Sequence, residues 1–191
     1  MSETRKLAAI LVADVVGYSR LTGTDEERTL ARLRGLRSDL IDPAMAAHHG
    51  RIVKRTGDGA IIEFRSVVDA VRCAIEVQTG LADRNAGVAP VKRIEFRAGI
   101  HVGDVVEESD GDLMGDGVNI AARLEGLCEA AGICLSEDVI PHSGYGVGGG
   151  YDSSRYGGRQ VWSWSMTVTR GLSTFVCARS CGLTGNSIHR I

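Results

Sequence analysis

The chain has 191 residues and a formal net charge of −2, enough sequence for one domain with a buried core and no bulk positive field to draw in nucleic acid or an anionic membrane. Its five cysteines are odd in number and scattered, which suits free thiols in a reducing compartment and makes the cytoplasm the expected location. No apolar run approaches the roughly 20 residues of a membrane span. In chain order, residues 7–13 (LAAILVA) are a continuous apolar run closed by Asp14, as a central strand requires. A loop with Gly17 and Gly23 is expected over 14–23, then a helix opened by a Thr24/Glu27 capping box. Leu30, Leu33, Leu40 and Ile41 give that helix its apolar stripe, Pro43 bends or restarts it, and Gly50 ends it.

Residues 52–64 (IVKRTGDGAIIEF) read as a hairpin with a type I′ turn at Gly-Asp-Gly. Simple alternation puts Ile52, Lys54 and Thr56 on one face, opposite Val53 and Arg55. Ser66 is the expected N-cap of a second helix, with Val67, Val71, Ala74, Ile75 and Leu81 near one face. Residues 93–108 alternate around Ile94, Phe96, Ala98 and Ile100 and are expected to turn at Val102-Gly103-Asp104 into a partner strand. A third helix over 115–132 and the start of a strand at 133–138 complete the order β-α-ββ-α-ββ-α-β. That order predicts an α+β, ferredoxin-like sandwich with helices packed on a mostly antiparallel sheet.

Asp14 at a strand end and Asp58 at a hairpin turn have ordinary structural explanations singly. Jointly they do not, because this topology brings the first strand beside the hairpin and both carboxylates to one edge. Two carboxylates about 4 Å apart repel by up to ~4 kcal/mol at an effective dielectric near 20, so the pair calls for a cation or a proton. Paired oxygens suit Mg²⁺, which keeps water and accepts phosphate oxygens as its remaining ligands. Backbone N–H groups in the loop after Asp14 offer a rest for a polyphosphate. No P-loop signature is present, a calcium-loop reading fails at Met114, and Cys177, Cys181 and His189 are one ligand short of a zinc set.

The segments ADVVGYS, VKRTGDG, FRAGIHVGDV and DLMGDGVNIAARLE, in that order, resemble the catalytic domain of class III nucleotidyl cyclases over roughly residues 5–140. The resemblance implies an adenylate cyclase of intracellular signalling, converting ATP to 3′,5′-cyclic AMP and pyrophosphate at a homodimer interface with two Mg²⁺ (or Mn²⁺) ions per site. Asp14, the Val15 backbone and Asp58 would hold the metals. Val15, Val16, Gly17, Tyr18 and Ser19 would cradle the triphosphate and Arg97 would hold it. Lys54 and Asp112 would read the purine, a pairing that favours ATP because guanylyl members carry Glu and Cys there. Asn119 would orient the ribose and Arg123 would stabilise the transition state. By the same resemblance, Asp14, Asp58 and Arg97 come from one protomer and Lys54, Asp112, Asn119 and Arg123 from the other.

Residues 1–140 are therefore expected to be the catalytic domain. Residues 141–191 differ in kind: no lysine, no glutamate, one acid (Asp152), five arginines, both tryptophans and ten of the 25 glycines. The resemblance calls for further strands and a triphosphate lysine there, and the tail is expected to be disordered or out-of-frame sequence. Without those parts the domain would be a catalytically silent nucleotide-binding or dimerisation module, which is the alternative reading.

Overall fold

The computed structural model describes residues 4–136 and 138–139, and the backbone of three strands within 154–177. β1 (Thr4–Val15) is followed by α1 (Tyr18–Thr24), α2 (Glu26–Leu36), a π-helical turn (Arg37–Ile41) and α3 (Asp42–Ala47). β2 (Arg51–Thr56) and β3 (Gly59–Phe64) form the hairpin, α4 (Val67–Asn85) crosses back, and β4 (Phe96–Glu107) pairs with the short β5 (Leu113–Met114). α5 (Asp116–Leu127) and β6 (Gly132–Ser136) complete the expected order, and β7 (Ser154–Tyr156), β8 (Arg159–Thr169) and β9 (Leu172–Cys177) extend it.

The strands join in the order β2-β3-β1-β4-β6-β8-β7. The first four make the ferredoxin-like arrangement, antiparallel throughout, and among the described residues only β4 with β6 is parallel. Alternation along β1 divides the interior into two layers. Ala9 and Leu11 pack with Ile62, Phe64 and Ile100 against Leu33, Ile41, Met45, Val71 and Ala74 of the α2–α4 layer. Ala8 and Ile10 face the other way, with Val105, Leu113 and Ala121 beneath α5.

Several local expectations are corrected. The segment after Asp14 is no open loop, since Asp14 and Val15 belong to β1 and α1 begins at Tyr18. The N-cap of α2 is Asp25, whose side chain accepts from Arg28 N, and not Thr24. Thr24 instead closes α1, its hydroxyl donating to Arg20 O at 3.0 Å. Val102-Gly103-Asp104 does not turn: β4 runs through it in register with β1 from Phe96 to Glu107. The reversal comes at 108–112, where Gly111 takes a φ of 86°. Ser66 caps α4 as expected.

Pro43 acts as predicted and reaches further. It has no N–H, its ring crowds the carbonyl four residues back, and the preceding turn widens so that Asp42 N–H bonds to Arg37 O, five residues back. Cys73, Cys128 and Cys134 are buried and form no disulfide among the described residues. In the tail, the three strands are found where no regular structure is expected, with β8 on β6 from Gly132↔Ser165 to Ser136↔Val161. The remainder of that expectation, over 141–153 and 178–191, lies outside the described residues.

Candidate active site

Asp14 is the last outward-facing residue of β1 on the α5 side, because Ala8 and Ile10 share its parity. Its direct cross-strand partner is Arg97 of β4. That register turns into a bidentate pair: Arg97 Nε donates to Asp14 Oδ1 at 2.8 Å and Nη2 to Oδ2 at 3.1 Å. The hydrogen bond to Asp14 leads the causes that raise the guanidinium's affinity for its proton. A second carboxylate completes the group. Glu125 Oε1 lies 2.5 Å from Arg97 Nε, with a side chain only 12% exposed. Burial, and then Asp14 beside it, push the Glu125 carboxyl up to about 7.

The placement of Glu125 follows from one glycine. A Cβ at Gly99 would overlap Ala121 O and Glu125 N, so α5 rests directly on the β4 backbone. The hairpin corner abuts the same sheet end. Gly57 carries the positive φ of the turn (70°) and Asp58 does not, so the turn is not type I′ but places its left-handed residue as type II′ does. A Cβ at Gly59 would come within 2.6 Å of Ala13 O and 3.2 Å of Asp14 Cβ. Asp14 and the Asp58 turn are thus packed together. Arg37, presented by the π-helical turn, donates to Gly57 O and holds the corner from the helix side.

Lys54 is aimed by a fault in β2. The register shifts between Ile52 and Lys54, so Ile52 pairs with Ile62 but Lys54 pairs with Ile61. That bulge breaks the alternation expected from sequence. Ile52 packs into the α2–α4 layer and Val53 into the α5 layer, and Lys54 follows the α5 side instead of sharing a face with Ile52. There its Nζ meets Asp112 Oδ2 at 2.7 Å, across 58 residues of sequence. The mutual hydrogen bond raises the lysine's pKa and lowers the aspartate's. Arg55, back on the opposite face, pairs with Asp42 at 2.8 Å.

Asn119 and Arg123 are both exposed on α5, one turn apart, on the side turned away from Glu125. The structure therefore brings together Asp14, Arg97 and the Asp58 corner, joins Lys54 to Asp112 separately, and leaves Asn119 and Arg123 facing outward. Val15 is buried at the end of β1. Val16 N–H is already spent on Glu95 O at 2.8 Å, which removes it as a phosphate donor, while Gly17 (φ 67°) turns the chain into Tyr18 and Ser19.

Glu125 and Arg37 were not singled out from sequence. For Glu125 a signal existed: Gly117, Ala121, Leu124 and Cys128 form the buried side of α5, and an acid one turn after Ala121 borders that stripe and needs a partner. Arg37 had none, because its reach depends on the π-helical turn.

The donor set fits a hard divalent cation. The acids of Asp14 and of the adjoining Asp58 turn are the side chains that could hold such a metal, which would complete its shell with water and phosphate. Among the described residues no group of three or more His, Cys, Asp or Glu side chains forms an all-protein cage.

Comparison with known proteins identifies the family. The chain matches the sequence model of the adenylate and guanylate cyclase catalytic domain over residues 1–147. It is 44% identical over 135 residues to a Rhizobium meliloti protein named "Putative adenylate cyclase 3", covering 71% of this chain and 23% of that one. Adenylate cyclase 1 of the same organism is 31% identical over 140 residues, 64% of this chain and 21% of its own length. The chain thus spans under a quarter of each of these two relatives. Among solved structures, an adenylate/guanylate cyclase/hydrolase from Silicibacter pomeroyi superposes with a TM-score of 0.76 at 39% identity, covering 86% of this chain and 99% of that one. The guanylyl cyclase Cya2 has the same fold at 20% identity and a TM-score of 0.68, the match covering 99% of this chain and 100% of that one.

Proposed function

Because the chain belongs to the adenylate and guanylate cyclase catalytic-domain family, we propose that it converts ATP to 3′,5′-cyclic AMP and pyrophosphate in a homodimer, with two Mg²⁺ or Mn²⁺ ions at each site. The observation that carries the choice of ATP is the Lys54–Asp112 pair. A lysine and an aspartate side by side present one donor and one acceptor, the complement of the adenine edge, which carries one of each. Both side chains are partly exposed, 54% and 27%, so a base can reach them.

In this reading Asp14, Asp58 and the Val15 carbonyl hold the metals, with Arg97 and the backbone of Gly17, Tyr18 and Ser19 on the triphosphate. When bound, the metals supply a lower pKa at the ribose 3′-hydroxyl and Lewis acidity at the α-phosphate. Asn119 orients the ribose and Arg123 offsets the charge that develops at the α-phosphate. The homodimer is supported by the division within one protomer: Asn119 and Arg123 face away from the side of α5 that carries Glu125 to Asp14 and Arg97. A second copy provides the missing half-site. No helix among the described residues is long and apolar enough to cross a membrane.

The test is direct. Purified protein is incubated with ATP or GTP and Mg²⁺ or Mn²⁺, and products are identified by mass spectrometry. Cyclic AMP well in excess of cyclic GMP is expected, and Lys54→Glu with Asp112→Cys should move the preference toward GTP. Cyclic GMP as the main product of the unaltered chain would overturn the choice of ATP. The silent-module reading draws on the absence of any lysine in residues 141–191, and it requires nucleotide binding with no cyclic product from either nucleotide.

A further inference from the structure

Asp14 cannot serve a cation while Arg97 holds both of its carboxylate oxygens, Oδ1 at 2.8 Å and Oδ2 at 3.1 Å. A guanidinium and a divalent cation on the same two oxygens repel each other. For Asp14 to accept a metal, Arg97 needs another anionic partner within reach. Glu125 is placed as that partner. Its Oε1 sits 2.5 Å from Arg97 Nε, yet it has no hydrogen bond of its own, because the single Nε hydrogen is spent on Asp14. A carboxyl oxygen 2.5 Å from a guanidinium nitrogen whose hydrogen points to another acid is an acceptor held in reserve.

We propose that Glu125 is a positioning residue that receives the Arg97 guanidinium when Asp14 gives it up. The exchange leaves Asp14 open to a cation and keeps Arg97 in the site. It needs only a small rotation of the guanidinium, since Glu125 already touches it, and the contact of α5 with Gly99 keeps Glu125 at that distance. The inference rests on the reading of Asp14 as a metal carboxylate, and the following measurement separates the two.

The full chain is titrated with Mn²⁺ alone, without nucleotide, and free Mn²⁺ is read by electron paramagnetic resonance. Wild type is compared with Asp14→Asn, Glu125→Gln, Glu125→Asp, Arg97→Gln and the Arg97→Gln/Glu125→Gln double variant. Glu125→Gln should weaken Mn²⁺ binding about tenfold, the lower end of what outer-shell partners of a metal site cost. Glu125→Asp, which keeps the charge, should recover binding to within about threefold of wild type, and circular dichroism confirms that each variant is folded. In the Arg97→Gln background the same Glu125→Gln change should alter the dissociation constant by less than about twofold, because no guanidinium remains to be re-housed. An unchanged dissociation constant for Glu125→Gln would overturn the proposal. So would an equal loss in both backgrounds, which would mean that Glu125 acts through its charge alone. Indistinguishable binding by wild type and Asp14→Asn would remove the metal role of Asp14 and this inference with it.

Discussion

At Asp58, turn geometry and ligand charge make different demands on a substitution. The positive φ of the turn falls on Gly57, so asparagine at 58 keeps the hairpin and removes only the negative charge. Asp58→Asn should leave the melting temperature near wild type and lower cyclase activity by about 10²-fold or more, the scale set by losing one electrostatic element of a catalytic site. Activity near wild type would reject the metal role. Asp14→Asn should lose activity too, with some stability, because the bidentate pair to Arg97 goes with it. Asp14 and Asp58 are legible as a pair because the strand order sets β1 beside the hairpin, whereas Lys54 and Asp112 come from the family resemblance and not from spacing along the strands. Glu125 is less legible, since its importance comes from burial against Arg97, and that depends on how closely α5 sits on β4.

Elements were read well where the period was clean and less well where a backbone detail intervened. The strand-helix order and the ferredoxin-like core followed from apolar runs and caps such as Ser66. The bulge at Val53–Lys54 did not, because a single extra residue has no compositional mark, and it moved Lys54 to the face opposite the one expected. The expected turn at Val102-Gly103-Asp104 failed for a related reason. Glycine in a strand signals either a turn or a close approach, and here Gly99 admits the α5 backbone while Gly103 makes room for the His101 ring, whose Nε2 would lie 2.6 Å from a Cβ placed there. The contact at Gly99 gives an element-scale prediction. Gly99→Ala puts a methyl into backbone atoms that cannot yield, so α5 must lift. We expect a loss of about 1–3 kcal/mol in urea unfolding together with a fall in activity beyond what the stability loss explains. An Ala variant of wild-type stability and rate would show that α5 is not held by this approach.

For the whole molecule, the end of the sheet remote from Asp14 is tied by charges. Lys6 meets Glu63 at 2.7 Å and Glu107 at 2.6 Å, and Arg51 meets the same two acids at 2.6 and 3.0 Å. Burial alone would raise the Glu63 carboxyl, but hydrogen bonds from Lys6 and Arg51 outweigh it and hold its pKa below 4.5. A depressed acid contributes stability above its unfolded pKa and loses it as pH falls through the folded value. Lys6, its pKa raised above 10.5 by Glu107 and Glu63 against the effect of burial, contributes below 10.5 and loses it as pH rises through its folded value. Glu63→Gln should therefore cost about 1–2 kcal/mol at neutral pH, less than a fully buried pair because Lys6 and Arg51 remain partly exposed. The difference from wild type should close as pH falls below 4.5, and a difference that persisted at low pH would assign the loss to packing.

At the same scale, three strands stand in a tail whose composition predicts none. Trp162, Trp164, Met166 and Val168 alternate with polar residues, a strand signal hidden by the Gly/Ser-rich stretch before it, and β8 pairs with β6 over 161–165 and with β9 over 164–169. We still read 141–191 as diverged from the family, on its missing lysine and glutamate, and resequencing that finds an intact, family-like frame would contradict this. The central claim, a site shared between two copies, is tested most directly by mixing inactive variants. If Lys54 serves one site and Asp58 the other, Lys54→Ala and Asp58→Asn placed in separate chains send both lesions to one site of a mixed dimer and leave the second intact. Equal amounts with random pairing make about half the dimers mixed, each with one good site, so about a quarter of wild-type activity should return. A mixture no more active than either parent, with subunit exchange confirmed, would contradict the shared site.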